Sequence, residues 1–445
     1  MRIAFWLLQD SIRQWAGWVA GLHYVRNCLE GLACLPEGQA PQVVAFVPES
    51  LRDRLLADAG FRDAPWLEVK WIEDELLSDR SRRRELQDRV AAESCDMLFP
   101  AISPPGVSTG GKTIGWITDL QHKHYPQFFS EAELNYRDDL FSFLIGSSSR
   151  IVCSSQSVRD DLEQHFPAVD DRGFILRFRT RPPASALQTS PKSVLSELGI
   201  DRPYAYLPYQ FWQHKNHRVV FEAWALLLKQ GLRYPLICSG ATVDARAPEH
   251  FATLEQFIRA NGLADQIKIL GMVPREQQWQ LYRGARLILQ PSLFEGWSTS
   301  VEESRSLGKS VFLSDIAVHR EQMDGIGTFF DPADATDLAE QLKSKWDDLP
   351  DGFDEAIESS SLVANQNDMQ QFGRQLVELF RETHADTRVP IAPSVLPLLL
   401  SIQNESEQRL DVIHQLSAEI DRLRDVKQEV KLGWFDKLLG RGTVG

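Results

Sequence analysis

Cysteine is scarce and scattered: Cys28, Cys34, Cys95, Cys153 and Cys238 are the five in 445 residues, with no CxxC pair and no zinc-ligand spacing. That excludes a disulfide framework and a thiolate metal site, and it is the usage of a reduced, cytoplasmic protein. Long apolar runs are missing as well. The first one, Met1–Leu8, meets Gln9 and Asp10 at once, too soon for the core of a secretion signal, so it reads as a buried first strand. No stretch reaches the roughly 18 apolar residues of a membrane-spanning helix. Positive charge is in deficit, 48 Lys+Arg against 62 Asp+Glu for a net charge of -14. A nucleic-acid reader carries the opposite balance, so no nucleic-acid partner is expected.

What the chain does contain is a globular composition, 43% hydrophobic and 25% charged. At roughly 150 residues per domain its length predicts two or three domains, each with its own core. Strand-like and helix-like runs alternate from the start: Ile3–Leu8, Gly21–Leu32, Gln42–Val47, helices near Leu51–Ala59 and Arg82–Ala92, strands at Met97–Phe99 and Thr113–Ile117, a helix over Ala132–Ile145, and a strand at Arg150–Cys153. Such alternation predicts βαβ units around a parallel sheet. The segment Arg179–Pro191, rich in Pro, Ser and Thr, reads as a linker. A second series follows it, with strands at Tyr204–Leu207, Leu236–Cys238, Gln266–Ile269, Leu287–Leu289 and Val311–Leu313. The predicted fold class is α/β, with a first Rossmann-like domain over 1–185, a second over 192–385 and a helical tail over 386–445. A ligand cleft belongs between the two halves, at the carboxyl ends of the strands.

The segment Gly271–Glu321 carries the most chemistry. A helix over Arg275–Ala285 and a buried strand over Leu287–Leu289 lead through Pro291-Ser-Leu to Glu295-Gly296-Trp297, at the mouth of a helix starting near Ser298. A helix N-terminus presents N–H groups and a positive dipole end, and Gly296 permits close approach to the backbone, so an anion site is expected here. Ser298, Thr299 and Ser300 suit capping and phosphate contact. Seven residues separate Glu295 from Glu303, which puts one carboxylate on the loop and the other inside the helix, reaching different parts of one hydroxyl-rich ligand. A solvated helix face is the plain alternative for either glutamate.

These residues resemble the donor-site signature of the retaining GT-B glycosyltransferases of family 4: Glu-x7-Glu inside P-S-x-x-E-G, followed by S-L-G-K-S-V-F-L-S-D. The resemblance extends from the start of the second series to about Asp331, and more weakly over the first domain. It implies a GT-B fold of two Rossmann-like domains facing a cleft, with Glu295 on the transferred hexose and Glu303 on the ribose hydroxyls. Gln210-Phe-Trp-Gln-His-Lys-Asn-His217 resembles the family's Arg-x4-Lys phosphate pair, with Lys215 in place and Gln210 where the arginine is expected. Arg177, Arg179 and Arg181 could supply charge instead, although their spacing fits a solvated linker edge better. Trp116-Ile-Thr-Asp-Leu-Gln-His-Lys-His124 resembles the family's D-L-Q-H loop and nominates Asp119 and His122 for the reaction centre. Gly17 and Gly21 match the small-residue loop near acceptor and pyrophosphate, with a large Trp18 between them.

The resemblance implies transfer of a hexose from a nucleotide-sugar donor to a glycan or lipid-linked glycan acceptor, with GDP-mannose the first expectation and a UDP-hexose the second. No resident cofactor is expected. No Asp-x-Asp occurs, so no metal site of the GT-A kind is expected either. The tail repeats Ile413, Leu416, Ile420, Leu423 and Val430 at helical spacing, which suits a coiled coil with itself or a partner glycosyltransferase, or packing on the body. Lys431–Arg441, KLGWFDKLLGR, has the composition of a peripheral membrane contact on the inner face of the plasma membrane, and equally of a helix cap. The basic run Arg80–Arg84 reads first as a solvated face, and second as a contact for an anionic lipid-linked acceptor. A non-catalytic scaffold subunit, a nucleotide-sugar epimerase and a glycan phosphorylase remain as alternatives on the same architecture.

Overall fold

The computed structural model describes residues 1–7, 19–57, 59–78, 82–102, 111–244 and 246–388. Gly17, Arg80 and the whole tail beyond Arg388 lie outside the described residues.

The first sheet has seven strands: β1 (Arg2–Trp6), β2 (Gln42–Pro48), β3 (Leu67–Ile72), β4 (Met97–Ala101), β5 (Lys112–Ile117), β6 (Arg150–Cys153) and β7 (Gly173–Ile175). They are parallel in the order β3-β2-β1-β4-β5-β6-β7. The second sheet has six, β8 (Ala205–Leu207), β9 (Leu236–Cys238), β10 (Ile267–Ile269), β11 (Leu287–Gln290), β12 (Val311–Ser314) and β13 (Thr328–Phe330), parallel in the order β10-β9-β8-β11-β12-β13. Central strands such as β4 and β11 are buried along their length, and apolar but for Gln290 at the end of β11, because helices cover both faces of a parallel sheet. Chain order reverses between β1 and β4 in one sheet and between β8 and β11 in the other. Those reversals open crevices at the strands' carboxyl ends, where ligands of such sheets bind.

Every strand expected from sequence is present, but β3, β7 and β13 were not anticipated. All three are edge strands. Edges carry charge and are short: β3 reads LEVKWI with Glu68 and Lys70 on its outer face, and the other two have three residues each.

The segment between the domains is more ordered than its composition suggests. A helical turn, Ala184–Gln188, buries Ala186, whose carbonyl accepts from Gln280 Nε2 at 2.8 Å and from Arg283 Nη1 at 2.7 Å. Pro191 opens the helix Pro191–Glu197, the position at which proline's fixed φ helps rather than breaks.

The helix Glu355–Ala385 begins beside the second domain, where the Asp354 carboxylate caps it, and ends in the first. Its residues Phe372, Leu376, Leu379 and Phe380 join the core of β1 and β4, with the Phe380 ring edge-on to Phe99 at 5.5 Å. A β-carbon on Gly373 would overlap the Gly31 carbonyl, so glycine is what lets this helix cross Val19–Ala33 so closely. Its end is held where Arg150 Nη1 meets Asp386 Oδ2 at 2.5 Å.

Among the described residues no helix is long and apolar enough to cross a membrane, and all five cysteines are buried and free. Arg82 pairs with Glu85 at 2.7 Å in the helix after the basic run.

Candidate active site

Three loops meet between the sheets. After β8 comes Pro208–Asn216, after β11 comes Pro291–Ser298, and from the first domain comes Thr118–Tyr125 after β5. The first two are joined by backbone, Leu293 N donating to His214 O at 2.8 Å. Asn216 takes a left-handed conformation (φ 53°), which asparagine tolerates better than most residues, and its amide donates to Pro291 O at 3.1 Å and Pro332 O at 2.9 Å. This holds Lys215 over the second loop.

Lys215 Nζ and Glu295 Oε1 are 2.5 Å apart, with side chains 12% and 11% exposed. Burial pushes the Glu295 carboxyl up, but the Lys215 ammonium more than offsets it, and the group lies below its ordinary value. Gln290 Nε2, at the end of β11, donates to Glu295 Oε1 at 3.3 Å and to Ser298 Oγ at 2.6 Å. The Lys215 ammonium also sits 5.3 Å from the Tyr209 ring centre.

The helix starts at Thr299 with Ser298 at its cap position, as the sequence predicts. Its serines are engaged with each other: Ser298 and Ser300 Oγ are 3.1 Å apart, and Ser300 Oγ donates to the Tyr209 hydroxyl. Ser298 N donates to Gln322 Oε1 at 3.0 Å, so this first amide of the helix mouth is occupied by a side chain.

Glu303 is buried and pairs with Arg275, whose guanidinium lies 4.5 Å from the Trp279 ring centre. Its neighbour Glu302 accepts from Arg179 Nη1 through both oxygens at 2.9 Å. That corrects the expectation of a solvated linker edge. Arg177 meets Glu321 at 2.5 Å and Arg179 meets Glu302 because carboxylates of the second domain face the segment on that side. Glu302 is 2% exposed, so Arg179→Ala leaves a buried carboxylate with only the more distant Arg305 cation, at 3.8 Å. We expect it to destabilise the protein by about 3 kcal/mol, the lower end for breaking a buried pair, since Gln322 still donates to Glu302. Urea unfolding of the variant checks this, and a loss below about 0.5 kcal/mol would place the pair among ordinary surface ion pairs.

The first-domain loop closes the site. A β-carbon on Gly296 would fall 1.9 Å from Thr118 O and 3.0 Å from Asp119 Cβ, so the domains meet here with no room for a side chain. Tyr125 OH donates to Leu293 O at 3.2 Å, and the His124 and Phe294 rings are 5.0 Å apart. Asp119 Oδ1 accepts from Gln121 N at 3.0 Å, a turn-holding bond that leaves the carboxylate beside Gly296. His122 is buried; its Nε2 meets Asp138 Oδ1 at 2.9 Å, while its Nδ1 has no partner. Burial lowers its pKa, against the pull of Asp138.

Other nominated residues sit differently. Gly21 is buried in the helix Val19–Ala33, not in the loop before it, because the helix starts earlier than its apolar pattern suggests. Trp297 is buried and its Nε1 donates to Phe178 O at 3.0 Å, which joins the domains. His214 and His217 are buried among aromatics, His217 stacked on Phe211 at 4.1 Å with its pKa pushed down by burial to about 3. Gln210 is half-buried beside Tyr209. Among the described residues, no group of three or more His, Cys, Asp or Glu is placed to hold a metal ion. Sequence reasoning missed Tyr209, Gln290, Arg275, Gln322 and Arg246. Tyr209, Arg275, Gln322 and Arg246 act through partners distant in sequence, whereas Gln290 bonds to Glu295 and Ser298 nearby and its position at a central strand's carboxyl end was a signal.

Known proteins resemble the chain over part of this site. Residues 200–359 match the model of the family described as glycosyl transferases group 1. The chain is 28% identical over 231 residues to the Escherichia coli O-antigen chain mannosyltransferase B, an overlap of 50% of this chain and 58% of that relative. It thus spans less than two thirds of the curated relative it matches. Among solved structures, Anabaena Alr3699/HepE in complex with UDP superposes with a TM-score of 0.58 at 17% identity, covering 86% of this chain and 100% of that one. A glycosyltransferase from Rickettsia africae gives 0.60 at 15% identity over 87% and 99%. Sucrose-phosphate synthase from Thermosynechococcus elongatus gives 0.56 at 15% identity over 86% and 99%. At such identities these likenesses establish the fold, which is the GT-B arrangement of two Rossmann-like domains.

Proposed function

We propose that the chain is a retaining GT-B glycosyltransferase that moves a hexose from a nucleotide-diphosphate sugar to a glycan or lipid-linked glycan hydroxyl. The observation that carries this reading is the Lys215–Glu295 pair at the carboxyl ends of β8 and β11, faced across the cleft by Asp119. Glu295 would hold the sugar and support the positive charge that develops as the glycosidic bond breaks, while Lys215 would turn to the leaving diphosphate. Asp119 and His122 would order the acceptor side. Glu303 would take the ribose hydroxyls, exchanging Arg275 for them. Ser298–Ser300 would exchange their mutual hydrogen bonds for phosphate oxygens. Mannose is the first expectation for the sugar and GDP for its carrier, with support from the Escherichia coli relative. A UDP-hexose is the alternative, with support from the UDP named with the Anabaena structure. The reading invokes no resident cofactor or metal. A place in surface-polysaccharide synthesis on the cytoplasmic face, with the tail serving a partner or the membrane, belongs to the same proposal.

A calorimetric screen of GDP-mannose, UDP-glucose and UDP-N-acetylglucosamine against the full chain tests it. One donor is expected to bind in the range of roughly 1 μM to 1 mM, the usual span for enzyme substrates. Binding of none would favour the second reading, a non-catalytic scaffold, for which Gln210 in place of a cation is the specific observation.

A further inference from the structure

A diphosphate brought to this cleft meets less positive charge than it needs. Lys215 is held by Glu295, Gln210 is uncharged, and the first amide of the helix mouth already donates to Gln322. Arg246, in the loop that follows β9, lies on the same rim. That loop is stitched to the one carrying Lys215: Phe211 N donates to Ala241 O at 2.9 Å, and a β-carbon on Gly240 would overlap Tyr209 O. The Arg246 guanidinium stands 5.5 Å from the ring centre of Trp212, two residues past Gln210, and 5.3 Å from that of Phe129 in the first domain. Its Nη1 donates to Gln121 Oε1 at 3.3 Å. Contacts run in a closed circuit from Lys215 to Glu295, through Gly296 to Asp119 and Gln121, then to Arg246 and by Trp212 back to the Lys215 loop.

We infer that Arg246 is the second phosphate-binding cation of this site, supplied from the β9 loop in place of the arginine missing at position 210. The inference rests on the glycosyltransferase reading. Its chemistry suits the task. The guanidinium is a permanent charge, and its planar fork can bridge two phosphate oxygens while it stays near the Trp212 and Phe129 rings. Asp244 presets it without neutralising it fully: Asp244 Oδ1 accepts Arg246 N at 3.0 Å, whereas its approach to Nε is a longer 3.3 Å. The side chain is 22% exposed, open enough for a ligand to reach. Gln121 belongs to the first domain, so that bond is made only when the cleft is closed, while Asp244 keeps Arg246 on the rim within the second domain.

The experiment is calorimetry of GDP, GMP, UDP and UMP on the full chain, wild type against Arg246→Ala and Arg246→Gln, with thermal unfolding to show that each variant folds. Glutamine keeps polar reach toward Gln121 and loses only the charge. Both variants are expected to bind the preferred diphosphate about 10- to 100-fold more weakly, the worth of a charge-assisted contact. The matching monophosphate should change by less than about threefold, within the scatter of a neutral contact. A wild type that binds a diphosphate, with variants that bind it equally well, would overturn the role of Arg246 alone. Equal losses for mono- and diphosphate would do the same, since they mark a residue that shapes the loop. A wild type that binds neither diphosphate overturns the glycosyltransferase reading, and this inference with it.

Discussion

Glu295→Ala should lower glycosyl transfer by about 10²- to 10³-fold, the usual cost of removing one preorganised electrostatic contact from a reacting centre. Radiolabelled sugar transfer, with donor affinity measured alongside, checks it. The loss belongs mainly in kcat, because the carboxylate is asked to act on charge that develops only in the transition state. Undiminished transfer would remove Glu295 from the reaction. The pair with Lys215 also sets a pH dependence whose sign follows from the depressed carboxyl. An acid whose folded-state value lies below its unfolded value of about 4.3 adds stability above that pH, and loses it as the pH falls through the lower folded value. Urea unfolding between about pH 6 and pH 3 should therefore show an acid limb that Glu295→Gln flattens. Parallel curves for the two proteins would show that the pair adds no pH-dependent stability.

Both parallel sheets were legible in the sequence because buried central strands are unbroken apolar runs between helical patterns, as at Ile151–Cys153 and Leu287–Leu289. The same argument failed at β3, where Glu68 and Lys70 break the run, since an edge strand needs only one apolar face. The motif residues were legible too. Ser298 does stand at a helix mouth, and Lys215 and Glu295 do lie on loops past the carboxyl ends of their strands, because spacing along a βαβ unit fixes which loop a residue occupies. Partners were not legible. Nothing near Glu302 announces Arg179, which lies 123 residues away, and nothing near Trp297 announces Phe178. Arg177 and Arg179 looked like a solvated edge because exposure was judged from one strand's pattern, while their carboxylates come from the other domain.

That distinction bears on how the cleft works. The contacts joining the domains fall into two groups. Arg177–Glu321, Arg179–Glu302 and the Trp297 indole on Phe178 lie along the segment that leaves the first sheet and act as the hinge side. Tyr125 on Leu293, His124 against Phe294, Thr118 on Gly296 and Gln121 with Arg246 lie at the strand ends and act as the jaws. The hinge group is made of one half-buried charge pair, one pair on the buried Glu302 and an indole bond. The jaws are made of backbone contacts, a neutral hydrogen bond, one long hydrogen bond from a guanidinium and a tilted ring pair, which cost less to part. Opening at the jaws while the hinge holds would admit a donor, and closing would bring Asp119 against it.

Gly296→Ala tests that division, because it adds one methyl group where the jaws meet. Its β-carbon would fall 1.9 Å from Thr118 O, a backbone atom of a loop already tied by the Asp119–Gln121 turn, so neither side can yield by rotating a side chain. The second domain is not asked to change, since the conflict lies across the cleft. Thermal stability should fall by no more than about 1 kcal/mol, the size of a typical point substitution. Transfer should fall by about 10²-fold or more, because a displacement of roughly 1 Å between reacting groups is enough for that. Donor affinity, if it rests on the second domain, should move much less than turnover. Small-angle scattering should then report a larger radius of gyration for the variant than for the wild type with donor bound. An alanine variant that transfers sugar at the wild-type rate would show that the jaws need not close this far for the reaction, and would move Asp119 out of the reacting centre.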